Sequence, residues 1–98
     1  MVNSIDILER AACYATGIDR EMLHGRSRQH RIVFTRFLIA VAAIDKLGMN
    51  YTEAGKIVGI ERSAVYNAKK VINSINDFGT DEDVLWWRTF DAMVGDVE

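Results

Sequence analysis

An all-α fold, an orthogonal bundle of five to six helices, is what this chain predicts, and three observations predict it. There is no proline in the 98 residues. Apolar residues recur at steps of three and four and show no sustained alternation, and no Asn-Gly or Asp-Gly pair marks a hairpin. Residues that start and stop helices recur along the whole chain.

Asn3 or Ser4 can cap a first helix whose apolar positions Ile5, Leu8, Ala12 and Ala15 fall on one face, and Gly17 stops it. Asp19 caps a short turn through Leu23. "HGRSRQH" is polar and reads as a loop, after which a long helix runs from about Arg31 to Leu47 and ends at Gly48. Its apolar surface is broad, so it should sit at the centre. Asn50 caps a short helix ending near Gly59, and a further helix spans about Glu61 to Asn76. Thr80 with Asp83 three residues on forms a capping box for a last helix through Met93. With 49% apolar residues the chain fits a single domain, residues 1–98 with a core of about 3–94.

Charge and composition exclude several classes. Phe37 to Ile44 is the longest apolar run and falls far short of the roughly 20 residues of a membrane span. The N-terminus lacks the basic and apolar regions of a secretory signal. Cys13 is the single cysteine, which rules out an internal disulfide and reads as a small buried hydrophobe in a cytoplasmic protein. The net charge of -2 conceals a segregated distribution. Residues 20–36 carry +4 and residues 56–70 carry +3, while the tail from Ile75 onward carries -6. Arg28, Arg31, Arg36, Lys56 and Lys69 on one face would form a basic surface for nucleic-acid phosphates.

Tyr51 to Val71 carries the pattern of a helix-turn-helix. Two helices that cross closely need a small residue where the backbones meet and a glycine where the chain turns, and Gly55 and Gly59 occupy those positions. Ala54, Val58, Ile60, Val65 and Ala68 take the inward offsets. In the second helix Glu61, Arg62, Ser63, Tyr66, Asn67 and Lys70 are left to other faces. Arginine at the start of such a helix suits guanine, asparagine suits adenine, and serine serves several partners. Pairing of Arg62 with Glu61 or with an acidic tail residue is the competing account.

From about Ile5 to Phe90 the sequence resembles the C-terminal DNA-binding domain of the bacterial chromosomal replication initiator DnaA, a helical domain with a helix-turn-helix similar to that of the Trp repressor. The resemblance rests on a short helix, a basic loop, a long Arg-started helix and then "NYTEAGKIVGIERSAVYNAKKVI". It implies sequence-specific binding of double-stranded DNA in replication or transcription, in a nucleoid-associated protein. It implies an arginine in the minor groove at Arg28, a backbone or base contact at Arg36, and a recognition triplet at Glu61, Arg62 and Ser63. Ile60, Glu61, Arg62, Ala64 and Phe37 depart from the residues the family carries, so the initiator's target sequence does not transfer. No G-x-x-x-x-G-K-[ST] phosphate loop occurs.

No enzyme, cofactor or metal site is expected. His24 and His30 lie in the basic loop without a second ligand pair at metal spacing, and "TDED" is explained by helix capping. The alternative from another class is a protein-interaction module that keeps the fold and has lost DNA binding. "DVLWWRTF" motivates it, because Trp86, Trp87 and Phe90 cannot all share one direction on a helix. An exposed aromatic there would make the last helix a surface for a homodimer or a partner protein.

Overall fold

The computed structural model describes residues 3–95, all of whose regular structure is helical: α1 (Ser4–Thr16), α2 (Arg20–Leu23), α3 (His30–Leu47), α4 (Tyr51–Val58), α5 (Arg62–Asn73), α6 (Ile75–Phe78) and α7 (Asp81–Val94). Asn3 caps α1, accepting from the Asp6 amide at 2.8 Å. Asn50 and Glu53 close a reciprocal capping box on α4, and Thr80 and Asp83 close the expected one on α7. Gly17, Gly48 and Gly59 end α1, α3 and α4 where the sequence predicts stops.

The count of seven exceeds the predicted five to six for a local reason. The helix expected from Glu61 to Asn76 breaks at Ser74, whose hydroxyl donates to the Lys70 carbonyl at 2.8 Å. The Lys70 carbonyl also accepts from the Ser74 amide at 3.2 Å, the Ser74 backbone leaves helical geometry at φ -106° and ψ 16°, and a single turn, α6, resumes after it.

α3 is the central element, packing against α1, α2, α4, α5 and α7. Its Phe34, Leu38, Ile39, Ala40 and Ala43 are buried to within about a percent of complete enclosure. α1 and α7 pack together on α3, while α4 and α5 pack on α3 and on each other. One contiguous cluster, from Leu8 of α1 to Val94 of α7, joins them. Trp86 and Phe90 enter this core and Trp87 packs partly against it. None of the three aromatics is fully exposed, in keeping with core packing as the default account of that segment, and the exposed large apolar side chains nearby are Phe78, Leu85 and Met93. Among the described residues no helix is long and apolar enough to cross a membrane.

Polar groups tie the bundle at two crossings. Buried Thr16 and Thr35 place their hydroxyl oxygens 2.6 Å apart between α1 and α3, and each also reaches a carbonyl one turn back. Two hydroxyl protons serve three contacts, so the three cannot each hold a proton of its own at once. His30 at the start of α3 meets Asp83 of α7 at 2.6 Å, with Phe34 and Trp86 against its ring. Asp83 thereby serves as a helix cap and as an anchor between elements.

Candidate nucleic-acid interface

α4 and α5 are joined by the three residues Gly59, Ile60 and Glu61. Gly59 sits at φ 71°, in the left-handed region that a side chain disfavours. At Gly55 the two segments nearly touch, since a Cβ there would lie 2.5 Å from the Ile60 carbonyl oxygen and 3.1 Å from a Val65 methyl. Ala54, Val58, Val65 and Ala68 are buried around this approach. The tight joint holds the start of α5 in a fixed direction relative to the core helix α3.

α5 buries Val65, Ala68 and Ile72 and turns the opposite stripe to solvent. Glu61, Arg62, Ser63, Tyr66, Asn67 and Lys70 are all exposed. Glu61 occupies the N-cap position but makes no side-chain capping bond, so the first amide protons of α5 are free of side-chain acceptors. Among the described residues Arg62 forms no salt bridge, with Glu61 or with any other acid. Its Nη2 donates instead to the Tyr66 hydroxyl at 3.1 Å. Lys56 is exposed on α4.

Arg36 requires a correction. It was expected to contact DNA, yet it is 7% exposed. Its Nε donates to the Leu23 carbonyl at 2.7 Å, Nη1 to Ser27 at 2.9 Å, and Nη2 to Met22 at 3.3 Å and Gly25 at 2.7 Å. Burial lowers its pKa, but the guanidinium is surrounded by carbonyl oxygens that favour the charge. It organises the loop after α2, with four of its five N–H groups bound to carbonyl oxygens. The clue in the sequence is that Arg36 shares a helical stripe with Ile32, Ile39 and Ala43, all of which are buried.

Lys69 also differs from its expected role. Its ammonium pairs with Asp45 of α3, at the flank of α5. Lys70, one residue on, lies seven positions beyond Ser63 and thus on the open stripe with Tyr66 and Asn67. Counting helical steps from Ser63 would have preferred Lys70. Arg31 is exposed but engaged, with its guanidinium carbon 5.5 Å from the Trp86 ring centroid and a nitrogen 4.0 Å from Glu82. Arg28 is exposed in the loop that Arg36 pins.

The structure therefore brings Glu61, Arg62, Ser63, Tyr66 and Asn67 together on one stripe, leaves Lys56 exposed on α4 and Arg28 exposed on the loop before α3, and withdraws Arg36 and Lys69. Cys13 is buried, and desolvation pushes its thiol up to about 11, against the direction that would make a nucleophile. Arg20 is held by Asp6 and Glu9 at 2.8 and 3.1 Å, and these bonds raise its pKa. The basic segment of residues 20–36 is thus divided between structural ties and open charge. An all-helical bundle presenting a polar, partly basic helix face is the class these observations define. No family model, curated protein or solved structure matches the chain.

Proposed function

We propose that the protein binds double-stranded DNA with sequence preference, using α4, the turn and α5 as a helix-turn-helix with α5 in the major groove. The observation that carries this reading is the open stripe of Arg62, Ser63, Tyr66, Asn67 and Lys70 on a helix whose direction is fixed against the core by the approach at Gly55. Side chains that offer a planar fork, a hydroxyl and an amide suit the edges of base pairs, and they are presented from the first turns of the helix, where groove-reading helices contact bases. Lys56 and Lys70 supply phosphate contacts. Arg28, on the loop preceding α3, reaches the adjacent minor groove in the manner the resemblance to the replication initiator implies. Regulation of replication or transcription is the process that fits such binding.

Selection from randomised duplexes tests the reading. The wild-type protein is expected to enrich a definite site, and Arg62→Ala to lose about 1–3 kcal/mol of discrimination at one or two base pairs. Lys56→Ala is expected to weaken all sequences about equally. Enrichment of no site by the wild type would sink the proposal.

Exposure of Phe78 at 86% and Leu85 at 63% favours a second reading, a protein-interaction surface at α6 and the first turns of α7. Phe78→Ser with Leu85→Ser would then alter the sedimentation behaviour or partner binding of the protein and leave its thermal midpoint in place.

A further inference from the structure

Arg62 is not a loose side chain on the surface of α5. One turn along the helix, Tyr66 places its ring with the centroid 5.6 Å from the guanidinium carbon and accepts the hydrogen bond from Nη2 at its hydroxyl. Tyr66 is itself held from the other helix. The ring of Tyr51, the first residue of α4, lies with its centroid 4.2 Å from that of Tyr66 at an interplanar angle of 33°. Tyr51 is half-buried and packs against the core, whereas Tyr66 is 50% exposed. A chain of contacts therefore runs from the core through α4 to the tip of Arg62: core, Tyr51, Tyr66, guanidinium.

We infer that this stack is a specificity device in which Tyr66 and Tyr51 act as positioning residues that preset Arg62 for a base edge, guanine being the chemistry its fork matches. The inference rests on the DNA reading above and deepens it. A long arginine loses several rotamer freedoms when it docks on a base, and a side chain already held in one geometry loses less. The hydroxyl of Tyr66 takes one of the five guanidinium protons, from Nη2, and leaves four for a base edge. The ring within cation–π range and the hydrogen bond to its hydroxyl are two points of contact that restrict the fork, which bidentate recognition depends on and which an ammonium at the same position would not present. The pattern also explains why the first residue of α4 is aromatic although it lies outside the helix that reads the groove.

The test combines a measurement without DNA and one with it. In the free protein, the heteronuclear relaxation of Arg62 Nε–H is expected to report a restrained side chain in the wild type. Restraint is expected to fall in Tyr66→Ala and in Tyr51→Ala and to be partly kept in Tyr66→Phe, which retains the ring and removes the acceptor, while the α5 backbone amide shifts stay near their wild-type values. On DNA, discrimination at the base pair that Arg62→Ala abolishes is expected to fall roughly three- to tenfold in Tyr66→Ala, the size expected for an immobilised side chain set free, with Tyr66→Phe intermediate. Equal Arg62 mobility in wild type and Tyr66→Ala overturns the inference and leaves the DNA reading standing. So does undiminished discrimination in Tyr66→Ala. A wild type that discriminates among no duplexes overturns the DNA reading, and the specificity role falls with it whatever the relaxation shows.

Discussion

Arg36 is the residue on which most of the loop geometry depends. Four carbonyl groups, of Met22, Leu23, Gly25 and Ser27, converge on one buried guanidinium, so removing it leaves one buried and three partly buried acceptors without their donor. Arg36→Met, which keeps the volume of the stem, is expected to lower the unfolding free energy by about 3 kcal/mol, read as a fall in the urea midpoint at unchanged m-value. Arg36→Lys is expected to recover less than half of that loss, because three protons on a single nitrogen cannot span carbonyls that a planar fork reaches in different directions. A lysine variant as stable as the wild type would mean that charge alone, and not the fork, holds the loop. The same substitutions test a functional link: a loop freed from Arg36 lets Arg28 move, so any flanking preference that Arg28 reads should weaken along with stability.

At the scale of the helices, the joint between α4 and α5 combines local signals with a tertiary constraint. The sequence makes both visible, since Gly55 and Gly59 stand where a close crossing and a turn need them, and the structure puts the Ile60 carbonyl oxygen 2.5 Å from where the Gly55 Cβ would be. Gly55→Ala is expected to cost about 1–3 kcal/mol, as overpacking against backbone does, and to reduce duplex affinity although residue 55 is buried. Coupled denaturation and duplex titration of Gly55→Ala would check this, and wild-type values in both would show that the approach is not a constraint. The break at Ser74 was not legible in the same way. Apolar spacing continues through Val71, Ile72 and Ile75 across it, and the end is marked by the non-helical backbone of Ser74 and by its hydroxyl turning back to the Lys70 carbonyl. Interactions between distant segments were hidden for a different reason. Neither the pairing of His30 with Asp83 nor that of Lys69 with Asp45 leaves a periodic trace, because their partners lie 53 and 24 residues apart.

At the scale of the molecule, separation of charge is the feature with a direct functional consequence. The basic residues of the sequence do not all contribute, since Arg20 and Lys69 are tied to carboxylates and Arg36 is buried. Arg28, Lys56, Arg62 and Lys70 remain exposed and form no salt bridge among the described residues. The acids of α7 lie on an element that packs with α1, α3 and α6. A protein with net charge -2 can therefore still present cations to a polyanion, and the salt dependence of binding counts them. If three to five phosphates are neutralised, the logarithm of the association constant should fall with the logarithm of salt at a slope of about -2.7 to -4.5. Between 50 and 200 mM salt that is a loss of about 40- to 500-fold. Lys70→Ala should make the slope shallower by about 1, whereas Lys69→Ala should change it by less than half as much, because Asp45 already neutralises that ammonium. Anisotropy titrations of the wild type and both variants at four salt concentrations would measure all three slopes. A flat dependence in the wild type would remove DNA phosphates as the partner of this face, and a larger change for Lys69 than for Lys70 would return the phosphate contact to the flank of α5.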